Sequence, residues 1–454
     1  MKGAMVDMTY EKFMENAVSV VPSQRQKRWF DMEMYAFVHF TVNTYTGLEW
    51  GNGDESPAIF NPTELDCDEW VSSVKLAGMK GMILTAKHHD GFCLWQTDTT
   101  EHSVKSSPWK DGKGDVVREC AEACRRGGIK FGVYLSPWDR NSKLYGTPEY
   151  NDLYAAQLTE LLTRYGDIFM VWQDNACGEG ENGKKQVYDF DRFNAIVRKY
   201  QPDAVIFNDF GPDVRWCGNE AGRPRASEWA VVPGELCSRC EKQTEGALVE
   251  GSLAGIYCMD KNVGCFDNIK YSKGLVFAPS EYDMSIRKGW FYHPEQEPHS
   301  LDRLFETYLG TVGHNACLNL NIPPMPSGRF DERDIERLRE FGEKLKAEFG
   351  SPVEADVRKI SEEACGKCMY EITFPTMDVK YVTLSEDLSK GQRIESFKIR
   401  RTPDELIMMY SGLTVGHKQI CPMPRSARSR GLSRLYIEIT STRGETFIDK
   451  ITVC

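Results

Sequence analysis

Short apolar runs alternate with amphipathic stretches through the first two thirds of the chain. MYAFVHFTV (34–42), GMILTAK (81–87), KFGVYLSP (130–137), DIFMVWQD (167–174) and AVIFND (204–209) read as strands with both faces buried. Between them, CDEWVSSVKLAGMK (67–80), GDVVRECAEACRRGG (114–128), PEYNDLYAAQLTELLTRYG (148–166) and DFDRFNAIVRKYQ (189–201) repeat apolar residues at three- and four-residue spacing, which predicts helices. Gly127–Gly128 and Gly166 stand where helices stop. Further on, residues 299–315 and 331–350 read as helices and CLNLNIPP (317–324) as a strand ending in prolines.

Strand and helix in alternation predict a parallel sheet covered by helices. The length of the repeating part favours a (β/α)8-type barrel over an open sheet. No GxGxxG follows the first strand, which weakens a dinucleotide-binding reading. After residue 351 the pattern changes to polar–apolar alternation in MYEITF, KYVTLSEDL, RIESFKIR, SRLYIEIT and TFIDKITVC. That predicts an all-β domain, a sandwich, serving as structural partner to the barrel. The expected division is residues 1–350 for the barrel and 351–454 for the sandwich.

Composition narrows the function classes. The chain has 454 residues, 41 % hydrophobic and 27 % charged, with a net charge of −11. The acidic balance argues against nucleic acid as a partner. No run of 18 apolar residues occurs, so no membrane span is expected. The N-terminal segment has no continuous apolar core of a signal peptide, and the 15 cysteines are expected as free thiols in a reducing cytoplasm. CSRC (237–240) and CGKC (365–368) resemble halves of a zinc site but fall in different expected domains, and CAEAC (120–124) lies on a helix as core. Oligomeric state is left open.

Chemistry-bearing residues collect at the C-terminal ends of the expected strands, where barrel enzymes place their sites. The first strand leads through His39 and Asn43 to Glu49 and Trp50. The second runs into His88, His89 and Asp90, and the third into Tyr134, Trp138 and Asp139. The fourth delivers Trp172 and Asp174. After the fifth come Arg215, Trp216 and Glu220, and SEYDMSIRKGWFYH adds Arg287 and Trp290. Histidines, tryptophans and carboxylates on one rim are the makeup of a sugar site. Each has a plainer alternative. Asp174 could form a turn and Glu220 could be a solvated loop acid. KHHDGF could be a metal site or a structural histidine pair, although neighbours on a strand face opposite ways and chelate one ion poorly.

In order along the chain, HFTVNT, EWGNG, AKHHDGFCLW, KGDVVREC, FGVYLSPWDR, VWQDNACGEG, GPDVRWCGNEAG, SIRKGWFYH and GHNACLNLNIPP resemble α-L-fucosidases of glycoside hydrolase family 29. In the tail, QRIESFKIR and GLTVGHKQI resemble that family's β-domain. The resemblance implies a retaining, exo-acting hydrolysis of fucosylated oligosaccharides, with no cofactor and no metal. It implies Asp174 as nucleophile and Glu220 as acid/base, the latter held protonated by burial or by its neighbour. The fucose-binding set falls on His39, Glu49, Trp50, His88, His89, Tyr134, Trp172 and Trp290. The GNEAG setting of Glu220 resembles the α-1,3/1,4-fucosidase branch, which acts on Lewis-type glycans. Two positions depart from the family pattern: Asn175 replaces the usual Gly after the nucleophile, and Cys177 the usual Asn. Asn tolerates left-handed backbone, which would preserve the turn. Two other readings stand beside this one: a non-catalytic fucose-binding protein that kept the pocket, and a metal-dependent barrel hydrolase built on KHHD.

Overall fold

Alternation decides what each barrel strand does. In β1 (Met34–Val38), Met34, Ala36 and Val38 face the layer packed under the helices, while Tyr35 and Phe37 fill the barrel interior. In β2 (Gly81–Lys87), Met82, Leu84 and Ala86 face outward and Ile83 inward. With both faces buried, no polar alternation survives, so these strands read as apolar runs. A computed structural model describes residues 10–226, 228–237, 253, 256, 258–259, 262–363 and 366–454.

The sheet continues through β3 (Lys130–Leu135), β4 (Met170–Trp172), β5 (Val205–Phe207), β6 (Arg215–Trp216), β7 (Ser280–Ser285) and β8 (Cys317–Asn321). All ladders are parallel, in the order β5-β4-β3-β2-β1-β8-β7-β6. A parallel bridge from Phe207 to Val214 brings the two edges together, so the eight strands form a nearly closed barrel. Helices Cys67–Leu76, Val116–Gly127, Glu149–Arg164 and Phe190–Tyr200 follow β1 to β4, and Leu301–Thr311 and Glu332–Phe349 follow β7 and β8. Asp66, Asp115, Asp189, Ser300 and Asp331 cap five of them by accepting a backbone N–H from the first turn. Each such cap contributes about 1 kcal/mol. Gly128 ends one helix with φ +71°, which a glycine adopts without strain.

Two strands escape the hydrophobic pattern. β5 passes directly to β6 through residues 208–214 without a helix, and β6 is two residues long. β7 is SEYDMS, whose inward positions Glu281, Asp283 and Ser285 are polar, so no apolar run marks it. Helix Gln24–Phe30 closes the N-terminal end of the barrel, with Trp29 and Phe30 packed against Tyr35 and Phe277 among the interior side chains.

Beyond helix Glu332–Phe349 the chain is antiparallel. One sheet has Val353–Glu354, Ile448–Val453, Tyr381–Glu386 and Gln419–Pro422; the other has Asp356–Glu362, Cys368–Met377, Leu432–Thr442, Ile394–Arg400 and Tyr410–Gly412. They enclose their own apolar core, while Tyr381 and Ile420 join the barrel's outer layer. Backbone bonds Ile420 N–H to Gly313 O at 2.8 Å and Asn315 N–H to Lys418 O at 2.8 Å fix the two parts to each other. Every described cysteine is a free thiol, and Cys120 and Cys124 are core, as the helix pattern implied. Cys240 and Cys365, one from each CxxC pair, lie outside the described residues. No described helix is long and apolar enough to cross a membrane.

Arg287, placed on the rim by the sequence, is instead a buried tie. Its Nε donates to both oxygens of Asp334, at 3.0 and 2.8 Å, and Nη2 lies 3.1 Å from Asp331, so the chain after β7 is locked to the first turn of the last barrel helix. Breaking a buried ion pair from one side leaves a charge out of water without its partner. Arg287→Met is expected to cost about 3–5 kcal/mol in chemical denaturation; a loss below about 1 kcal/mol, the range of exposed pairs, would contradict the tie.

Candidate active site

At the C-terminal mouth of the barrel lies a cavity of about 560 Å³, lined by His39, Glu49, Trp50, His88, His89, Tyr134, Trp172, Asp174, Glu220 and Trp290 together with Phe37, Asp283, Lys288 and His293. The ten residues that the family resemblance assigned to catalysis and fucose binding therefore meet in one pocket. Arg215 does not reach it. That residue is buried beneath, bound to Glu228 at 3.1 Å and to the carbonyls of Ala278 and Trp229. Asp90 accepts from Thr41 and the Phe92 N–H, and Asp139 pairs with the buried Lys87 at 2.9 Å, so both are structural.

The histidines arrive by a route that strand alternation misjudged. β2 stops at Lys87, so His88 and His89 belong to the turn beyond it and both line the pocket, with ring centroids 4.1 Å apart. Even so, no three His, Cys, Asp or Glu side chains among the described residues are grouped to hold a metal ion.

Their partners fix what each ring offers. Asn321 Nδ2 donates to Ser285 Oγ and the Trp290 carbonyl, so its Oδ1 is the acceptor that His39 Nδ1–H meets at 2.8 Å. Burial pushes the His39 ring down to about 3, leaving a neutral imidazole with Nε2 as an acceptor. Ser136 Oγ gives its proton to the Trp138 carbonyl and therefore accepts from His89 Nδ1–H at 2.7 Å. His89 Nε2 lies 3.8 Å from Asp174. His88 is also pushed down by burial, and its Nδ1 has no hydrogen-bond partner among the described residues.

Asp174 stands two residues past the end of β4. The Tyr134 hydroxyl donates to its Oδ2 at 2.8 Å and the Ala176 N–H to its Oδ1 at 2.7 Å. Both of its oxygens are thus held by donors, which fixes the carboxyl's orientation. Glu220 follows β6, on a loop bridged to β7 at Ala221–Met284. Its Oε2 accepts from Trp290 Nε1 at 3.2 Å. Its side chain is exposed at the mouth, yet partial desolvation by the pocket raises its pKa, the indole N–H works against that, and the negative charges of Asp174 and Glu49 add to it. Glu49 itself accepts the Trp290 backbone N–H at 2.9 Å and lies 3.3 Å from His293 Nε2. Trp50 is 59 % exposed at the mouth, edge-on to Trp138.

Asn175 and Cys177 have ordinary places. Asn175 does not adopt the left-handed backbone anticipated for a Gly position, and its side chain hydrogen-bonds Asp209. Cys177 Sγ lies 3.3 Å from the Gln186 carbonyl. Three further carboxyls, of which Asp283 lines the pocket and Asp209 and Glu281 do not, were not marked by the sequence. Asp209, after β5, is pushed up to about 8 by burial and by Asp174. Glu281 receives Trp172 Nε1 at 2.8 Å, and Asp283 receives Trp216 Nε1 at 2.8 Å. The signal was the polar spacing of two in SEYDMS, which marks a strand with a polar inner face.

A sequence model described as Alpha-L-fucosidase matches residues 13–348. The chain is 38 % identical over 444 residues to Alpha-L-fucosidase 1 of Arabidopsis thaliana, covering 91 % of this chain and 83 % of that protein. Among solved structures it is similar to a glycoside hydrolase 29 family member from a rumen bacterium, at 36 % identity and a TM-score of 0.81, covering 96 % of this chain and 77 % of that one. It is also similar to a Ruminococcus gnavus GH29 fucosidase in complex with fucose, at 27 % identity and a TM-score of 0.79, covering 96 % and 94 % of the two chains. With its barrel and its pocket of paired acids, the chain belongs to the α-L-fucosidase family of glycoside hydrolases.

The Trp290 indole stabilises the ionised form of Glu220 by donating to it. Trp290→Phe removes that donor and is expected to raise the Glu220 pKa further, read as an upward shift of its carboxyl titration by carbon NMR. No shift, or a downward one, would show that the indole does not govern this group.

Proposed function

We propose that this protein is a retaining exo-α-L-fucosidase working by double displacement, with Asp174 as nucleophile and Glu220 as acid/base. One observation carries the reading: two acids in a single sugar-sized pocket have environments that separate their roles. Asp174 is met by two donors, whereas Glu220 stands exposed at the mouth with its pKa raised by partial desolvation and by the neighbouring acids. Asp174 attacks the anomeric carbon while Glu220 gives its proton to the departing oxygen. Glu220 then takes a proton from the water that releases the sugar. His39, His88, His89 and Glu49 bind ring hydroxyls. Support comes from the acceptor face of His39 Nε2 and the unpartnered Nδ1 of His88. Tyr134, Trp172 and Trp290 wall the pocket against the sugar's apolar side, and the exposed Trp50 extends the wall toward the next residue of the glycan.

The preferred substrate in this reading is an α-1,3/1,4-linked Lewis-type glycan, supported by the GNEAG setting of Glu220 and the aromatic mouth. Neither a metal nor a cofactor enters the steps. We also propose residues 1–350 as the catalytic unit and 351–454 as its β-sandwich, supported by the change of architecture after helix Glu332–Phe349. A reducing, cytoplasmic location is proposed on the strength of the unpaired described thiols.

Hydrolysis of an aryl α-L-fucoside and of a Lewis-type trisaccharide tests both levels. Asp174→Ala and Glu220→Ala are each expected to lower the rate by on the order of 10²–10⁴-fold, and the first-formed sugar seen by NMR should be the α-anomer. Release of the β-anomer would exclude retention. Cleavage of the aryl substrate alone would remove the Lewis specificity, and fucose binding without turnover would make the protein a lectin-like relative.

The pH profile follows from the same assignment. Glu220 works protonated, so kcat/KM is present below its pKa and lost above it. Because partial desolvation raises that pKa, the alkaline limb should fall above the ordinary glutamate value of about 4.3. A limb at or below that value would contradict Glu220 as the acid.

A further inference from the structure

Strand β7 lays three polar side chains along the barrel interior. Glu281, deepest, binds the Trp172 indole. Ser285, at the mouth, receives Asn321, which holds His39. Asp283 lies between them and is the member that lines the pocket itself. Trp216 Nε1 donates to its Oδ1 at 2.8 Å. No other side-chain bond to Asp283 is made by the described residues, and none of their Lys, Arg or His side chains comes within ion-pair distance of it. The Ala221–Met284 bridge sets the Glu220 loop directly against this part of β7. One oxygen of a carboxyl only 3 % exposed is thus committed to an indole, and the other has no side-chain partner.

We infer that Asp283 is a further sugar-facing residue of this site, anchored by Trp216 through one oxygen and presenting the other to a hydroxyl of the bound substrate. The inference rests on the α-L-fucosidase reading of the pocket. Apart from that indole the carboxyl meets only its own backbone N–H, so its pocket-facing oxygen keeps hydrogen-bonding capacity that a ligand hydroxyl can fill. The groups facing Asp283 are Glu220 from the loop after β6, Glu281 on its own strand and the Trp216 indole. Burial, followed by the two acids, pushes Asp283 well above the carboxylate range. The shift favours its protonated form, which can donate as well as accept. A neutral acid here also lets Glu220 ionise after giving up its proton without a second fixed charge beside it.

The plainer role, anchoring the Trp216 indole and nothing more, is separated by a double-mutant cycle. Trp216→Phe, Asp283→Leu and the double variant are compared with wild type for the Kd of L-fucose by calorimetry and for kcat and KM on an aryl α-L-fucoside. Asp283→Asn, which restores a donor and an acceptor of the same shape, is the rescue. Removing both partners leaves no unpaired indole, so the double variant is the one expected to fold if Asp283→Leu alone does not. We expect L-fucose to bind at least tenfold more weakly when Asp283 is lost, equally in the Trp216→Phe background, with Asn recovering at least half of that loss on a logarithmic scale. If Asp283→Leu adds nothing once Trp216 is Phe, the residue is an anchor only and the inference is overturned. If wild type neither binds L-fucose nor cleaves the fucoside, the fucosidase reading fails and takes this inference with it.

Discussion

Acids removed from water around one pocket are the constraint that organises this site. Glu281 and Asp283 are fully buried, Asp209 and Asp174 half-buried and Glu220 exposed at the mouth, and desolvation pushes Glu281, Asp283, Asp209 and Glu220 upward to different extents. Each carboxyl costs several kcal/mol to desolvate unless a partner meets it. The barrel meets three of them with tryptophan: Trp172 donates to Glu281, Trp216 to Asp283 and Trp290 to Glu220, while Tyr134 donates to Asp174. An indole supplies one N–H and no charge. It satisfies an acid oxygen without fixing the acid in its ionised form, as an arginine would. Protonation can then differ from one acid to the next, which two-carboxyl chemistry requires.

The same side chains serve twice. Trp172 and Trp290 are donors at their nitrogens and apolar walls along their ring faces, with Trp172 stacked on Phe207 at 4.0 Å. Pinning the nitrogen orients the wall, so the shape of the pocket and the protonation of its acids are one structural fact. The parallel barrel makes this possible. Inward positions of successive strands end at the same rim, and helix Gln24–Phe30 with the β-sandwich holds the rest of the barrel from the N-terminal side and the flank.

Periodicity carried far in some elements and nowhere in others. β1 to β5 and β8, with their helices, were legible because apolar runs and three-to-four spacing follow directly from burial on two faces or one. β6 is too short to have a period, and β7 hides because its inner face binds indoles with acids. Nine of the pocket's ten marked residues were legible through their place after apolar runs; Trp290, after β7, was marked only by the motif SIRKGWFYH. Arg215, Arg287, Asp90 and Asp139 sat in equally good positions and turned inward to ion pairs and loop bonds.

By itself the sequence determined which segments are strands and helices, and that an acid, histidine and tryptophan rim belongs to an α-L-fucosidase barrel, because burial patterns and motif order are properties of the chain. Only the tertiary structure decided which charged residues face the pocket and which face a buried partner. It alone showed that His88 and His89 turn to the same side, and that SEYDMS brings Asp283 beside Glu220. Those outcomes depend on what a neighbouring strand places opposite each side chain, and no spacing along a single strand contains that information.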